Sequence, residues 1–170
     1  AAAKENGEPT MTNASWLIKI TDGKPGKFLR GSDIGLPKIT KTVTENGQNK
    51  SYQMDPFVVM QDGKTVPFDN EDTKKAVNGD LFVTTTLKGV EVKTALQLVK
   101  EEAMSKSIEE WAEIAGISPK DIIELADEFT SHGKKAVFDM HRGVSQHTNG
   151  FYNCLAGNTL NLLIGNFDWK

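Results

Sequence analysis

The apolar and polar positions change rhythm near residue 95. Before it, short apolar pieces such as Trp16-Leu-Ile-Lys-Ile20 stand between Asp22-Gly23-Lys-Pro25-Gly26 and Gly35-Leu-Pro37, a pattern of turns and short strands. Phe57-Val-Val-Met60, Asp62-Gly63 and Thr65-Val66 predict a hairpin, because an Asp-Gly pair readily takes the positive φ angles of a tight reversal. Residues 81–87, the Lys88-Gly89 turn and residues 90–94 predict a second, rich in β-branched side chains. A small antiparallel sheet is therefore expected over residues 57–94. Glu45-Asn-Gly-Gln-Asn-Lys50 is expected as an exposed polar loop.

From Ala95 apolar positions recur at three and four, Leu96, Val99 and Ala103, which predicts a helix. Ser107-Ile-Glu-Glu110 has the spacing of a capping box, with Trp111, Ile114 and Ala115 as the apolar face of the helix it opens and Gly116 as its end. Ser118-Pro119-Lys-Asp121 opens another helix with Pro at its first position. Its apolar residues are Ile122, Ile123, Leu125, Ala126 and Phe129, and His132-Gly133 stops it. Lys135-Ala-Val-Phe-Asp-Met140 then reads as a buried strand, the stretch to Gly150 as a loop, and residues 151–164 as a helix with Leu155, Leu160, Leu162 and Leu163 on its apolar side. Strand, loop and helix in that order form the α/β unit that places ligands at strand C-termini. The fold class expected is α/β, with α+β possible: a hairpin-rich segment over 1–94 and an α/β segment over 95–170.

With 20 Lys and Arg against 23 Asp and Glu, a net charge of −3 gives no electrostatic reason to expect nucleic acid or an anionic membrane as partner. No apolar run reaches the ~18 residues of a bilayer span, and the first residues lack the pattern of a secretory signal. The single Cys154 excludes a disulfide framework, a thiolate zinc site or a four-cysteine iron–sulfur site made by these 170 residues alone. An apolar share of 38% is low for a self-sufficient domain of 170 residues. Ala1-Ala-Ala-Lys reads as the tail of a helix, and the chain stops just past another, so both ends are expected to be cuts in a longer chain.

The helix, the Ser-Pro-started helix, the His-Gly stop and the strand lead into Gly143-Val-Ser-Gln146-His147-Thr148-Asn149-Gly150 and then Leu160-Asn-Leu-Leu-Ile-Gly165-Asn166. That order resembles the molybdopterin oxidoreductases of the dimethyl sulfoxide reductase family. Gly7-Glu-Pro-Thr-Met-Thr-Asn-Ala-Ser15-Trp16-Leu17, Thr130-Ser-His-Gly133 and the Gln146–Gly150 run resemble the branch that reduces tetrathionate or respires arsenate, tetrathionate first. The resemblance implies an internal stretch of a larger multidomain catalytic subunit, inactive by itself. It also implies two pyranopterin guanine dinucleotides holding molybdenum, and an iron–sulfur cluster, with cluster cysteines and metal ligand upstream of these residues. No cofactor is expected on the isolated stretch. An iron–sulfur electron-transfer subunit, a membrane anchor subunit, a small sulfur oxyanion substrate and twin-arginine export to the periplasm or the outer face of the cytoplasmic membrane follow from the same resemblance.

A glycine-bearing loop between strand and helix offers backbone N–H groups to phosphate or pterin oxygens. Gln146 has an amide that donates and accepts at once, with Thr148 and Asn149 as short polar arms; all three could equally cap the following helix. Arg142, Gly143, Gln146, His147, Thr148 and Asn166 are the cofactor-binding candidates. Arg142 carries a planar charge suited to an anion, or to an ion pair. His147 is a candidate proton carrier, or a hydrogen-bonded loop residue. His132 is expected to interact with the helix dipole, Cys154 to be a small buried hydrophobe, and Trp16, Trp111 and Trp169 to pack in cores. Asp55, Asp62, Asp69, Asp72 and Asp80 lack the spacing of a calcium loop and read as solvated turn residues. A non-enzymatic α/β module binding a ligand or protein through the loop from Arg142 to Gly150 is the alternative of another class; arsenate, polysulfide or thiosulfate reduction is the alternative within the family.

Overall fold

The computed structural model describes residues 13–72 and 77–166. The Ala1-Ala-Ala-Lys helix tail, the part of the resemblance carried by residues 7–12 and the packing expected of Trp169 lie outside the described residues. The chain forms two compact units, one of residues 13–103 and one whose described part is 104–166.

The first unit is built from four hairpins. β1 (Leu17–Thr21) turns into β2 (Lys24–Phe28), β3 (Ile39–Glu45) into β4 (Gln48–Met54), β5 (Phe57–Gln61) into β6 (Lys64–Phe68), and β7 (Thr84–Leu87) into β8 (Val90–Thr94). Asp22-Gly23, Asn46-Gly47, Asp62-Gly63 and Lys88-Gly89 have positive φ at both residues, the tight turn whose twist matches that of the strands. Both predicted hairpins thus form, but residues 57–94 are not one sheet. β5 and β6 pair only with each other, whereas β8 leaves that neighbourhood to pair with β1 in a four-stranded sheet ordered β2-β1-β8-β7. The register Leu17↔Thr94 brings together side chains that are fully buried, Leu17, Val92 and Thr94. The polar run at 45–50 is exposed as expected, but it is a hairpin tip and not a loop: Glu45 pairs with Gln48 and Thr44 with Asn49.

The core of this unit is Leu17, Leu29, Ile34, Val58, Met60 and Val92. Beside it Trp16 packs among Phe28, Phe57 and Phe68, with ring centroids 5.2, 4.1 and 5.3 Å away, and the Arg30 guanidinium lies 3.5 Å over Phe57. Several of the turn aspartates are engaged instead of merely solvated. Asp55 accepts from the Ser32 N–H at 2.9 Å and hydroxyl at 2.5 Å, and Asp69 is ion-paired with Lys41. The Thr94 hydroxyl donates to Leu81 O at 2.6 Å and accepts from the Gln97 N–H at 3.3 Å. One side chain thereby ends β8 and caps α1 (Ala95–Ala103).

The second unit carries α2 (Ile108–Ala115), α3 (Pro119–Ser131) and α4 (Gly150–Ile164). The capping box is complete: Ser107 Oγ accepts from the Glu110 N–H at 3.2 Å, and Glu110 accepts from the Ser107 N–H at 2.7 Å. Ser118 Oγ accepts from the Asp121 N–H at 3.1 Å, and Gly116 closes α2 at φ 71°. The predicted apolar faces form but are not covered. On α2 only Ala112 is buried, while Ile114 is 66% exposed, and on α3 Leu125 is 70% exposed. Lys135–Met140 is likewise not a strand: a 3₁₀ turn (Gly133–Lys135) leads through Ala136, at φ −80° and ψ 148°, into chain without a β partner among the described residues. A buried strand needs neighbours to satisfy its N–H and C=O groups, and here helix side chains supply part of that.

Candidate functional site

The loop between residues 141 and 149 is held by the small and polar stripe of α4. Gly150, Asn153, Gly157 and Asn161 recur at three and four along the helix, so they share one face. Asn161 is buried; its Oδ1 accepts from the Phe138 N–H at 2.7 Å and its Nδ2 donates to Phe138 O at 2.8 Å. A Cβ on Gly157 would collide with the Phe138 ring and the end of Met140, and one on Gly150 with the Ser145 backbone. Only hydrogen at these two positions lets the helix lie this close. Asn166 Nδ2 donates to Ala136 O at 2.5 Å and Lys134 O at 3.0 Å.

Within the loop, Val144 N–H donates to Arg142 O at 3.1 Å, Gln146 N–H to Gly143 O at 3.0 Å and Gly150 N–H to His147 O at 2.9 Å. Gly143 sits at φ 84°, where a side chain would be strained. His147 Nδ1 faces the Asn149 N–H at 3.3 Å and its Nε2 the Asn153 amide at 2.9 Å. The Asn153 Nδ2 that meets Nε2 also donates to Val144 O at 3.3 Å, and because a neutral imidazole has one acceptor and one donor nitrogen, the ring accepts at one nitrogen at a time, from the Asn149 N–H at Nδ1 or from Asn153 Nδ2 at Nε2. The ring is thus a clasp between loop and helix. Asn149 stands at the N-cap of α4 without a side-chain cap bond.

The structure gathers Arg142, Gly143, Gln146, His147 and Thr148 on one exposed loop, and places the amide nitrogen of Asn166 against the backbone of residues 134–136. No described residue bonds the side chains of Arg142, Gln146 or Thr148, nor accepts from the N–H groups of Gly143, Ser145, His147, Thr148, Phe151 or Tyr152. From Met140 to Asn166 the sequence has no carboxylate, and Arg142 is its one fixed charge. Unspent donors at a helix N-terminus, a cation and no opposing anion form a surface that fits phosphate or pterin oxygens. Beside it runs an apolar groove of about 340 Å³ lined by Phe138, Met140, Val144, Asn153, Ala156, Gly157 and Leu160.

Asn153, Gly157 and Asn161 were not singled out from the sequence. Their signal was there, as asparagines and a glycine inside an otherwise apolar helix, where each lowers helix propensity and so needs another use. His132 lies away from such duty: its Nε2 meets Glu128 Oε1 at 2.8 Å on an exposed turn. Cys154 is half-buried and unpaired. Among the described residues no three His, Cys, Asp or Glu side chains stand together as a metal site, and no helix is long and apolar enough to cross a membrane.

The chain is 45% identical to the A subunit of selenate reductase from Mesobacillus selenatarsenatis, an alignment that covers 99% of this chain and 15% of that protein. It is 36% identical to the A subunit of tetrathionate reductase from Archaeoglobus fulgidus, over 99% of the chain and 13% of that protein. To the protein of the same name in Salmonella typhimurium it is 36% identical, over 97% of the chain and 15% of that protein. The chain thus spans about one seventh of the relatives it matches. No family model matches it, and neither does any solved structure.

Proposed function

As a homologue of one stretch of the A subunits of selenate and tetrathionate reductases, this chain belongs to the molybdopterin oxidoreductases, and we propose that its full-length protein reduces an oxyanion of selenium or sulfur. The alignment of 99% of the chain at 45% identity carries the reading. The identity favours selenate over the tetrathionate ranked first from sequence motifs, so selenate is the substrate to try first. The two differ chemically: selenate takes two electrons and two protons to give selenite and water, whereas tetrathionate takes two electrons and splits its S–S bond into two thiosulfates.

A molybdenum held by two pyranopterin guanine dinucleotides would supply the electron-pair transfer. The role of this chain is to build one wall of that cofactor's site. Free N–H groups of the 143–148 loop and the α4 N-terminus present partial positive charge, Arg142 adds a full one, and Gln146 offers both a donor and an acceptor to a pterin edge. Asn161, Gly157 and the His147 clasp fix where those donors point, which lowers the ordering cost of binding. An iron–sulfur cluster, electron-transfer and membrane anchor subunits and a place on the outer face of the cytoplasmic membrane belong to the same reading.

The test is purification of the full-length protein with its partners, metal analysis, and reduced-viologen oxidation with selenate, tetrathionate and arsenate. Molybdenum together with turnover on selenate or tetrathionate is expected. Absence of both molybdenum and turnover on every anion would overturn the proposal. In the same preparation Gln146→Ala should lower molybdenum content, and unchanged content removes Gln146 from the cofactor wall.

A further inference from the structure

Two hydrogen-bond donors face the His147 ring. The Asn149 N–H lies 3.3 Å from Nδ1, and a backbone N–H can only donate. On the other side Asn153 Nδ2 stands 2.9 Å from Nε2. That amide is held with its nitrogen toward the loop, because Nδ2 also donates to Val144 O at 3.3 Å, an acceptor that the amide oxygen could not serve. A neutral imidazole meets this setting with one acceptor nitrogen. An imidazolium has none, since both of its nitrogens carry N–H.

Protonation therefore sets donor against donor on both sides of the ring. Turning the Asn153 amide would restore one bond, from Nε2–H to its oxygen, but would strip Val144 O of its donor. Either way the loop loses a fastening to α4. Besides His147, the titratable or charged side chains of residues 136–166 are Asp139, His141, Arg142, Tyr152 and Cys154, and none of them bonds the ring. No carboxylate thus offsets the lost bonds, and Arg142 has the same sign as a charged ring. Histidine is the side chain that changes charge between about pH 5 and 8. We propose that His147 is a proton-sensitive positioning residue, which holds the 143–149 loop on α4 while its ring is neutral and releases it when the ring takes up a proton. What this does to the cofactor rests on the wall proposed above: a released loop no longer aims its N–H groups at one place.

Amide hydrogen exchange of the full-length protein at about pH 5.5 and about pH 8, corrected for the intrinsic effect of pH on exchange, tests the clasp. In the unaltered protein the Gln146 and Gly150 amides should exchange about fivefold faster at the lower pH, the weight of one net hydrogen bond. In His147→Gln, whose neutral amide keeps an acceptor at every pH, exchange should be slow at both, and in His147→Ala fast at both. Equal exchange at the two pH values in the unaltered protein overturns the proposal. The same pH effect in His147→Gln also overturns it, by placing the titrating group elsewhere. Molybdenum content of the same samples separates clasp from wall, and should fall at the lower pH in the unaltered protein but not in His147→Gln. The fivefold effect with molybdenum content that does not follow it supports the clasp and removes the loop from the cofactor wall. Bound molybdenum with exchange that ignores pH keeps the wall and overturns the clasp.

Discussion

The two units differ in where their cores are. In residues 13–103, Leu17, Leu29, Val58 and Val92 are fully buried, and Leu36, Val83, Leu87 and Val90 pack against their cluster. In residues 104–166, Ala112 is the one buried hydrophobic residue described, while Leu125, Phe151, Tyr152 and Leu163 are 57–73% exposed. Both have well-made secondary structure, so the contrast lies in tertiary burial and not in local signals. On α4 the arrangement is inverted relative to a surface helix: its small and polar stripe faces the chain's own 136–144 segment, and leucines face out. A helix apolar on the remaining faces belongs inside a larger protein, which agrees with a chain that spans about one seventh of its relatives.

The contrast predicts unequal costs for equal truncations. Leu17→Ala should destabilise the 170-residue chain by about 2–5 kcal/mol in urea, the usual cost of a cavity. Leu125→Ala should cost under about 0.5 kcal/mol there, as exposed positions do. In the full-length protein Leu125→Ala should instead lower the thermal midpoint by a core-like amount. Equal effects of the two substitutions in the 170-residue chain would erase the contrast.

Gly157→Leu comes next in expected size. It sharpens the inverted-helix reading, since a side chain there meets the Phe138 ring and overpacking costs about 1–3 kcal/mol. Because Phe138 precedes the loop, molybdenum content of the full-length protein should fall with it. Retained stability and metal would show that α4 does not lie on this segment.

Hairpins and caps were legible because their causes are local. Asp62-Gly63 and Lys88-Gly89 set turn geometry within two residues, and Ser107 and Glu110 satisfy each other within one helical turn. The β1–β8 pairing was not, because it joins residues 77 positions apart, Leu17 and Thr94, and nothing short-range encodes it. The 135–140 segment reads as a buried strand because its apolar run suits one, yet the neighbours that would make it one are not among the described residues. The stretch from Arg142 to Gly150 was legible as a loop that leads into a helix. Its fastening was not, since Asn161 acts on Phe138, 23 residues upstream, and an asparagine in a helix announces only that it has some use.

Ser107→Ala should have a smaller effect, about 1 kcal/mol of helix stability, read by circular dichroism of the 170-residue chain. It removes the acceptor of the Glu110 N–H. In a unit without its own core that loss should appear as fraying of α2, whereas the cooperative transition of residues 13–103 should not move. A shift of that transition would mean that the two units share stability.

The smallest effect is acid sensitivity, and it also distinguishes the units. Burial acts to raise the Asp33 carboxyl, but the Arg30 N–H and the Lys19 ammonium at 2.9 Å together hold it below its ordinary value of 3.8. Asp69 is lowered likewise, burial being outweighed by Lys41 and by the Glu71 N–H, and Glu101 is lowered by Gln97 and Lys93. A carboxyl whose folded pKa lies below its unfolded one contributes stability above the unfolded value and loses it as pH falls through the folded one. These three groups lie in residues 13–103; the described residues of the second unit hold one such lowered carboxyl, Glu109, which bonds its own backbone N–H and Ser107. The midpoint of the β-rich unit should therefore hold steady down to about pH 5 and decline as pH drops below about 4, and Lys19→Met together with Lys41→Met should flatten that decline. Because the pairs are at the surface, salt at about 0.5 M should flatten it too. An acid decline unaffected by either change would place its cause in other carboxylates.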